Sequence, residues 1–258
     1  MDIYQHFRKE EQPFIDQVLS WLDQVEKTYQ SKLTDFLNPR EQKIVDMLTG
    51  TSMMDLRVLK HGGSINAERQ RVIIAPEYEE VTEDAFQLTL LQGTYHTKFV
   101  SLTHRDVMGA FLSIGLKRQK LGDIIVENGL VQIITAQEMA PFVLTNLTEI
   151  KHTHTRLSEK PLSSAVAGSG DWVTSDHIVT SLRLDTVVTA IYRLSRKTAA
   201  DMIAKGYVKV NYQVIDDRKF SVDAGDMISI RGKGRSRLVS FNGYTKKDKV
   251  SITAAILK

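Results

Sequence analysis

Near the start of the chain, Ile15, Val18, Leu19, Leu22 and Val25 recur at helical spacing, with Asp16, Asp23, Gln24 and Lys27 between them. That pattern predicts an amphipathic helix. A second helix carries its own punctuation: Asn38 as N-cap, Pro39 at the first helical position and Gly50 at the stop. Met53 to Lys60 then alternates as a strand. His61-Gly62-Gly63-Ser64 turns the chain, and Arg71 to Ala75 is a second strand closed by Pro76. Residues 1–80 read as one α+β module built of helices and a hairpin.

Residues 81–160 run strand, helix, strand, strand, helix, strand. Thr97 to Leu102 is the first strand, and Thr103 caps a helix with Val107, Phe111 and Leu112 that stops near Gly115. Asp123 to Glu127 and Leu130 to Ile134 flank Asn128-Gly129, the strongest short hairpin signal. Thr135 with Glu138 forms a capping box for a helix through Phe142 and Leu147, and Lys151 to Leu157 is the closing strand. This βαββαβ order is ferredoxin-like, an architecture shared by RNA-recognition domains and many unrelated proteins.

Residues 161–180 are a linker and a connecting strand. Pro161 to Gly170 is small and glycine-containing, and Asp171 to Thr180 is the strand. In residues 181–258, Asp185 caps a short helix bearing Val187, Val188 and Ile191. Ser195 caps the next, with Ala199, Met202 and Ile203 inward, and Gly206 ends it. Tyr207 to Asn211 is a strand. Gly225-Asp226 turns into the strand Met227 to Arg231. Gly232 to Arg237 is a basic loop, and Leu238 to Phe241 is another strand. The whole is α+β in three small modules.

Charge separates these modules. Residues 181–258 hold sixteen Lys/Arg and seven Asp/Glu, a net of +9, and the other 180 residues hold eighteen and twenty-four, a net of −6. A basic module on an acidic body is the footprint of a polyanion binder. The absence of cysteine excludes disulfides, thiolate zinc sites and cysteine nucleophiles. The N-terminus lacks the apolar run of a signal peptide, and no stretch approaches the ~18 apolar residues of a membrane span. A cytoplasmic protein with no membrane partner is expected.

The C-terminal motif residues carry a resemblance. Arg183-Leu184-Asp185, Ser195-Arg196 with Ala199, Gly206, Val208, Val210-Asn211, and Gly225-Asp226 with Arg231 resemble, in order and spacing, the RNA-binding domain of small-subunit ribosomal protein four. Val188 stands where that domain usually has leucine. Upstream, Phe36-Leu37-Asn38-Pro39-Arg40, Gly62-Gly63, Ala67-Glu68-Arg69 with Arg71, Leu102-Thr103-His104-Arg105-Asp106, Gly109-Ala110 and Gly115 through Gly122-Asp123-Ile124 complete a pattern similar to the YlmH family of Gram-positive bacteria. That resemblance covers essentially the whole chain. It implies an αL-type RNA-binding domain at the C-terminus, association with ribosomal particles, a genomic setting beside cell-division genes, and a part in rescuing stalled large subunits that still hold a peptidyl-tRNA.

The candidate RNA contacts are Arg183, Arg193, Arg196, Lys197, Lys209, Arg231, Lys233, Arg235 and Arg237. Arginine forks suit phosphate oxygens, and Gly232 and Gly234 would let backbone approach a phosphate. Arg196 and Lys197 open a helix, where a cation gains nothing from the dipole, so a ligand is the better reason for them. Asp185, Ser195 and Gly206 are structural caps. Arg69, Arg71, Arg105, Lys117 and Arg118 are a secondary candidate set, read either as RNA contacts or as a solvated face. No catalytic residue is assigned: His104 and Asp106 share a helix start without a nucleophile. His152 and His154 share a strand face without a third metal ligand, and Gly232-x-Gly234 opens no helix, so no metal, cofactor or small-molecule substrate is expected.

A non-enzymatic factor binding ribosomal RNA and peptidyl-tRNA on the large ribosomal subunit, as a monomer, is the leading expectation. The competing ones are an RNA-modifying enzyme of pseudouridine synthase or methyltransferase type, and a division-associated scaffold. A tyrosyl-tRNA synthetase also ends in such a domain, but this chain is too short and lacks a nucleotide-binding signature.

Overall fold

A computed structural model describes residues 7–50, 55–166 and 172–257. The chain divides into two compact units, Met1–Gly168 and Ser169–Lys258. Met53 and Met54 of the first expected strand, residues 167–170 of the linker, and Asp171 lie outside the described residues.

The first unit begins with α1 (Gln12–Thr28), β1 (Lys32–Leu37), α2 (Pro39–Thr49), β2 (Leu56–His61) and β3 (Gln70–Pro76). The three strands form an antiparallel sheet in the order β1-β3-β2. Ile15, Val18, Leu22 and Val25 of α1 pack with Ile44, Val45 and Leu48 of α2 onto Leu37, Val72 and Ile74 of the sheet. Asn38 caps α2 as expected: its side chain accepts from the Arg40 and Glu41 amides, and Glu41 reaches back to the Asn38 amide.

Strand β1 was absent from the sequence reading. A register shift separates Leu33 from Phe36, and the adjacent Phe36 and Leu37 are both buried, so the period-two signal is lost. Leu37 faces the helices, whereas Phe36 packs with Leu90, Ile134 and Ala136 of the next module. Strand β3 is likewise covered on both faces. Val72 and Ile74 meet the helices, and Ile73 and Ala75 meet Phe86. The first two modules therefore share cores.

A close approach fixes the turn after β2. A Cβ on Gly62 would lie 2.5 Å from the Arg69 carbonyl oxygen, and nearer still to the Ala67 Cβ. Gly62→Ala is expected to destabilise the first unit by about 1–3 kcal/mol through overpacking. A lowered urea midpoint would show it, and an unchanged midpoint would mean the turn yields.

The second module contains β4 (Leu88–Thr94), α3 (His104–Ser113), β5 (Leu121–Glu127), β6 (Leu130–Ala136), α4 (Ala140–Asn146), β7 (Glu149–Ile150), β8 (Thr153–His154) and β9 (Ser158–Lys160). Its antiparallel sheet runs β5-β6-β4-β9. The first and third strands of the βαββαβ series are central, which is the ferredoxin-like arrangement. Asn128 and Gly129 close the β5–β6 hairpin, both left-handed.

Three expected elements differ. The first strand is Leu88–Thr94, not Thr97 to Leu102; Phe99 in the latter stretch is exposed. Leu90 and Leu91 point to opposite faces and enter different cores, so adjacent apolar residues mask the alternation. The Thr135–Glu138 capping box does not form. Thr135 is buried in β6 and donates its hydroxyl to the Lys120 carbonyl, and Glu138 instead pairs with Lys120 at 2.9 Å. Lys151 to Leu157 is not one strand. Left-handed Lys151 and His152 turn β7 into β8, and β9 completes the sheet. His152 sits in that turn and His154 in β8, so the two share no strand face.

The second unit contains β10 (Trp172–Val179), α5 (Leu184–Tyr192), α6 (Arg196–Ala204), β11 (Val208–Val210), β12 (Gln213–Val214), β13 (Met227–Ile230), β14 (Gly234–Tyr244) and β15 (Val250–Leu257). They form a six-stranded antiparallel sheet, β10-β15-β14-β13-β11-β12. Leu184, Val187, Val188 and Ile191 of α5 and Ala199 and Ile203 of α6 cover one sheet face, against Val208, Val210, Ile228, Ile230, Leu238, Ile252 and Ala254. Val188, the departure from the usual leucine, is fully buried there. No helix of the described residues is long and apolar enough to cross a membrane.

Candidate nucleic-acid interface

The two helices of the second unit start beside a polar cleft of about 170 Å³, lined by Thr180, Ser181, Arg183, Asp185, Thr186 and Arg196. Arg183, not Asp185, is the N-cap residue of α5, and it caps without its side chain. Asp185 is the second helical residue. Its carboxylate accepts two hydrogen bonds from the Arg183 guanidinium, at 2.7 and 3.1 Å, and one from the Thr186 hydroxyl. Burial pushes the Asp185 carboxyl up, but Arg183 and Thr186 outweigh it and hold the group below the ordinary carboxylate range. The expected cap is thus a brace that orients Arg183 at the cleft.

Ser195 is the N-cap of α6, where its hydroxyl accepts from the Thr198 amide at 3.0 Å. Gly206 is left-handed just past the helix. The Gly206 amide donates to the Ile203 carbonyl and the Tyr207 amide to that of Met202, a Schellman closure. These devices hold exposed Arg196 and Lys197 in the first turn of α6. Arg193 is exposed and left-handed at the C-cap of α5, where a cation suits the helix dipole. Burial, then the Arg193 charge, lowers the neighbouring His177.

The remaining cations lie elsewhere. Arg235 and Arg237 are not in a loop, because β14 already begins at Gly234. Ser236 and Leu238 point into the core beneath the helices, so the alternating Arg235 and Arg237 point away from it. Lys209, Ser229 and Arg235 are cross-strand partners on that outer face. Arg231 follows inward Ile230 and stacks on Tyr207, and Lys233 occupies the tight turn into β14. Eight of the nine expected contacts therefore divide between two faces, and the ninth, Lys233, sits in the turn between β13 and β14. Arg183, Arg193, Arg196 and Lys197 lie on the helix side, while Lys209, Arg231, Arg235 and Arg237 lie across the sheet.

Two members of the secondary set, Arg69 and Arg71, are staples between the first two modules, and a third, Arg118, is held within the second. Arg69 donates to the carbonyls of Leu121, Phe36 and Arg118, while Asp123 accepts from the Glu68 and Arg69 amides. Burial lowers the Arg69 guanidinium and raises the Asp123 carboxyl. Arg71 is 4% exposed and donates to the carbonyls of Thr34 and Gln87. Arg118 donates to those of Leu121 and Gly122. Arg105 and Lys117 remain exposed.

Asp106 is the carboxylate of a capping box with Thr103. The Thr103 hydrogen bond holds it below the ordinary range, and Lys151 adds to that. Among the described residues there is no group of three His, Cys, Asp or Glu that could hold a metal. The sequence reading missed Thr180, Ser181 and Thr186, which line the cleft. It also missed the aromatic partners of the arginines, which cross-strand register brings together.

Three family models match along the chain. The model for the N-terminal region of YlmH matches residues 10–79, that for the RNA-binding domain in YlmH matches 81–164, and the S4 domain matches 182–228. The chain is 44% identical over 252 residues to "Ribosome-associated protein quality control protein P2" of Bacillus subtilis (strain 168), covering 98% of this chain and 97% of that one. It also resembles the structure titled "Cell division protein ylmH from Streptococcus pneumoniae", with a TM-score of 0.55 and 31% identity, covering 64% of this chain and 99% of that one.

Proposed function

Because this chain belongs to the YlmH family, we propose that it is a non-enzymatic RNA-binding factor of ribosome-associated quality control. It acts in the cytoplasm as a monomer, on stalled large ribosomal subunits, and contacts ribosomal RNA and the retained peptidyl-tRNA. The single observation that carries this reading is the cleft at the start of α5 and α6. There braced Arg183 meets Arg196, and Lys197 is presented beside them at a helix start that does not itself favour cations. Hydroxyls and arginine forks converging on a polar cleft suit phosphate and 2′-hydroxyl groups. The printed name of the Bacillus relative supports the ribosomal setting.

Co-sedimentation tests it. The protein is expected with large subunits at low salt and in the ribosome-free fraction at high salt. Recovery only in the ribosome-free fraction at low salt would sink the ribosomal reading. With three or four phosphate contacts, RNA affinity should fall roughly forty- to 150-fold between about 50 and 200 mM salt. A flat salt response would exclude a phosphate-reading surface.

The printed title of the Streptococcus relative favours a second reading, a role in cell division. Under that reading, a variant defective in RNA binding would retain its division phenotype. Under the first it would lose function altogether.

A further inference from the structure

The outer face of the six-stranded sheet is unexplained by the helix-side cleft. Three arginines there each lie over an aromatic ring. The Arg231 guanidinium is 5.3 Å from the Tyr207 centroid, Arg235 is 5.6 Å from Tyr212, and Arg237 is 5.3 Å from Trp172. These pairs come from five separate segments, so sheet register assembles them. In the cross-strand register Ser229 lies between Lys209 and Arg235, and Arg237 is flanked by Met227 and Ala255.

A guanidinium held over a ring forms a planar cationic platform of the kind on which a base can stack. Arg235 and Arg237 are two residues apart on one strand, about 6.6 Å, so successive platforms follow an extended chain. Duplex RNA hides its base faces within the helical stack, whereas an unpaired strand exposes them. Stacking platforms interleaved with cations select the unpaired strand. A purely acidic protein partner would meet the cations but have no use for the planar platforms.

We infer that this sheet face is a second RNA-binding surface, which takes unpaired nucleotides by stacking on the three arginine–aromatic pairs. It is separate from the cleft between the helix starts and stands whether or not that cleft binds the ribosome.

Trp172 reports on the face directly. The chain has two tryptophans, so the Trp21→Phe variant leaves Trp172 as the sole tryptophan, read with excitation that spares tyrosine. Single-stranded oligouridylate is expected to quench its emission saturably, and duplex RNA of equal length is not. Arg235→Gln with Arg237→Gln should weaken oligouridylate binding by at least about fivefold and leave duplex affinity unchanged. Arg196→Ala with Lys197→Ala should do the converse, so failure of one surface is distinguishable from failure of the other. Circular dichroism identifies any variant that fails to fold, and a fold-neutral Trp172→Phe should then lose oligouridylate affinity in its place. Absence of quenching at saturating oligouridylate, equal quenching by duplex RNA or polyglutamate, or unchanged affinity in the folded Arg235/Arg237 variant overturns the proposal.

Discussion

Arg71→Ala is expected to destabilise the first unit by about 3 kcal/mol, without acting through RNA. The side chain is 4% exposed and supplies donors to the Thr34 and Gln87 carbonyls. Its removal strands the buried Thr34 carbonyl, at about 1–3 kcal/mol, and leaves a void at the junction of the first two modules, while the Gln87 carbonyl keeps the Gln137 amide. The ion pair with Glu138 adds little, since the contact is 3.6 Å and Glu138 is substantially exposed. Urea unfolding followed by Trp21 fluorescence, in a Trp172→Phe background, measures the loss. Arg71→Lys should recover little of it, because an ammonium cannot bridge two carbonyls as a planar fork does. Reduced RNA affinity in an Arg71 variant of unchanged stability would restore an RNA contact to this residue.

Arg196→Ala with Lys197→Ala is expected to weaken RNA binding by about ten- to a hundredfold at low salt, from the loss of two charge-assisted contacts. Folding should be unharmed or slightly improved. Both positions lie in the first turn of α6, where cations oppose the helix dipole, and alanine is the best helix former. Filter binding and thermal melting on the same preparations separate the two effects. The salt dependence of the residual binding should also be shallower, by about one unit of slope per lost contact. Unchanged affinity would move the principal contact surface away from the helix starts, with the outer sheet face as the next candidate.

These expectations differ in how early they could be read. The caps at Asn38, Thr103 and Ser195 and the Asn128-Gly129 turn were legible, because their chemistry closes within about four residues. The ferredoxin-like order was legible too, even with its first strand misplaced, since the hairpin and one cap pinned the middle of it. Which of the basic residues belong together was not legible. Arg69 and Arg71 looked like candidates for RNA because their partners, the carbonyls of Phe36, Leu121, Thr34 and Gln87, are remote in sequence. Arg196 and Arg235 looked like parts of one patch because both sit in a basic stretch. The sequence by itself determined the charge of the C-terminal module, its two short helices with the Ser195 cap on the second, and its resemblance to known RNA-binding domains, all local properties of the chain. Only the tertiary structure decided that the helices cover one face of the sheet and β14 turns its arginines to the other. Side-chain direction on a strand depends on which face the neighbouring strands and helices bury, and that is fixed by long-range packing.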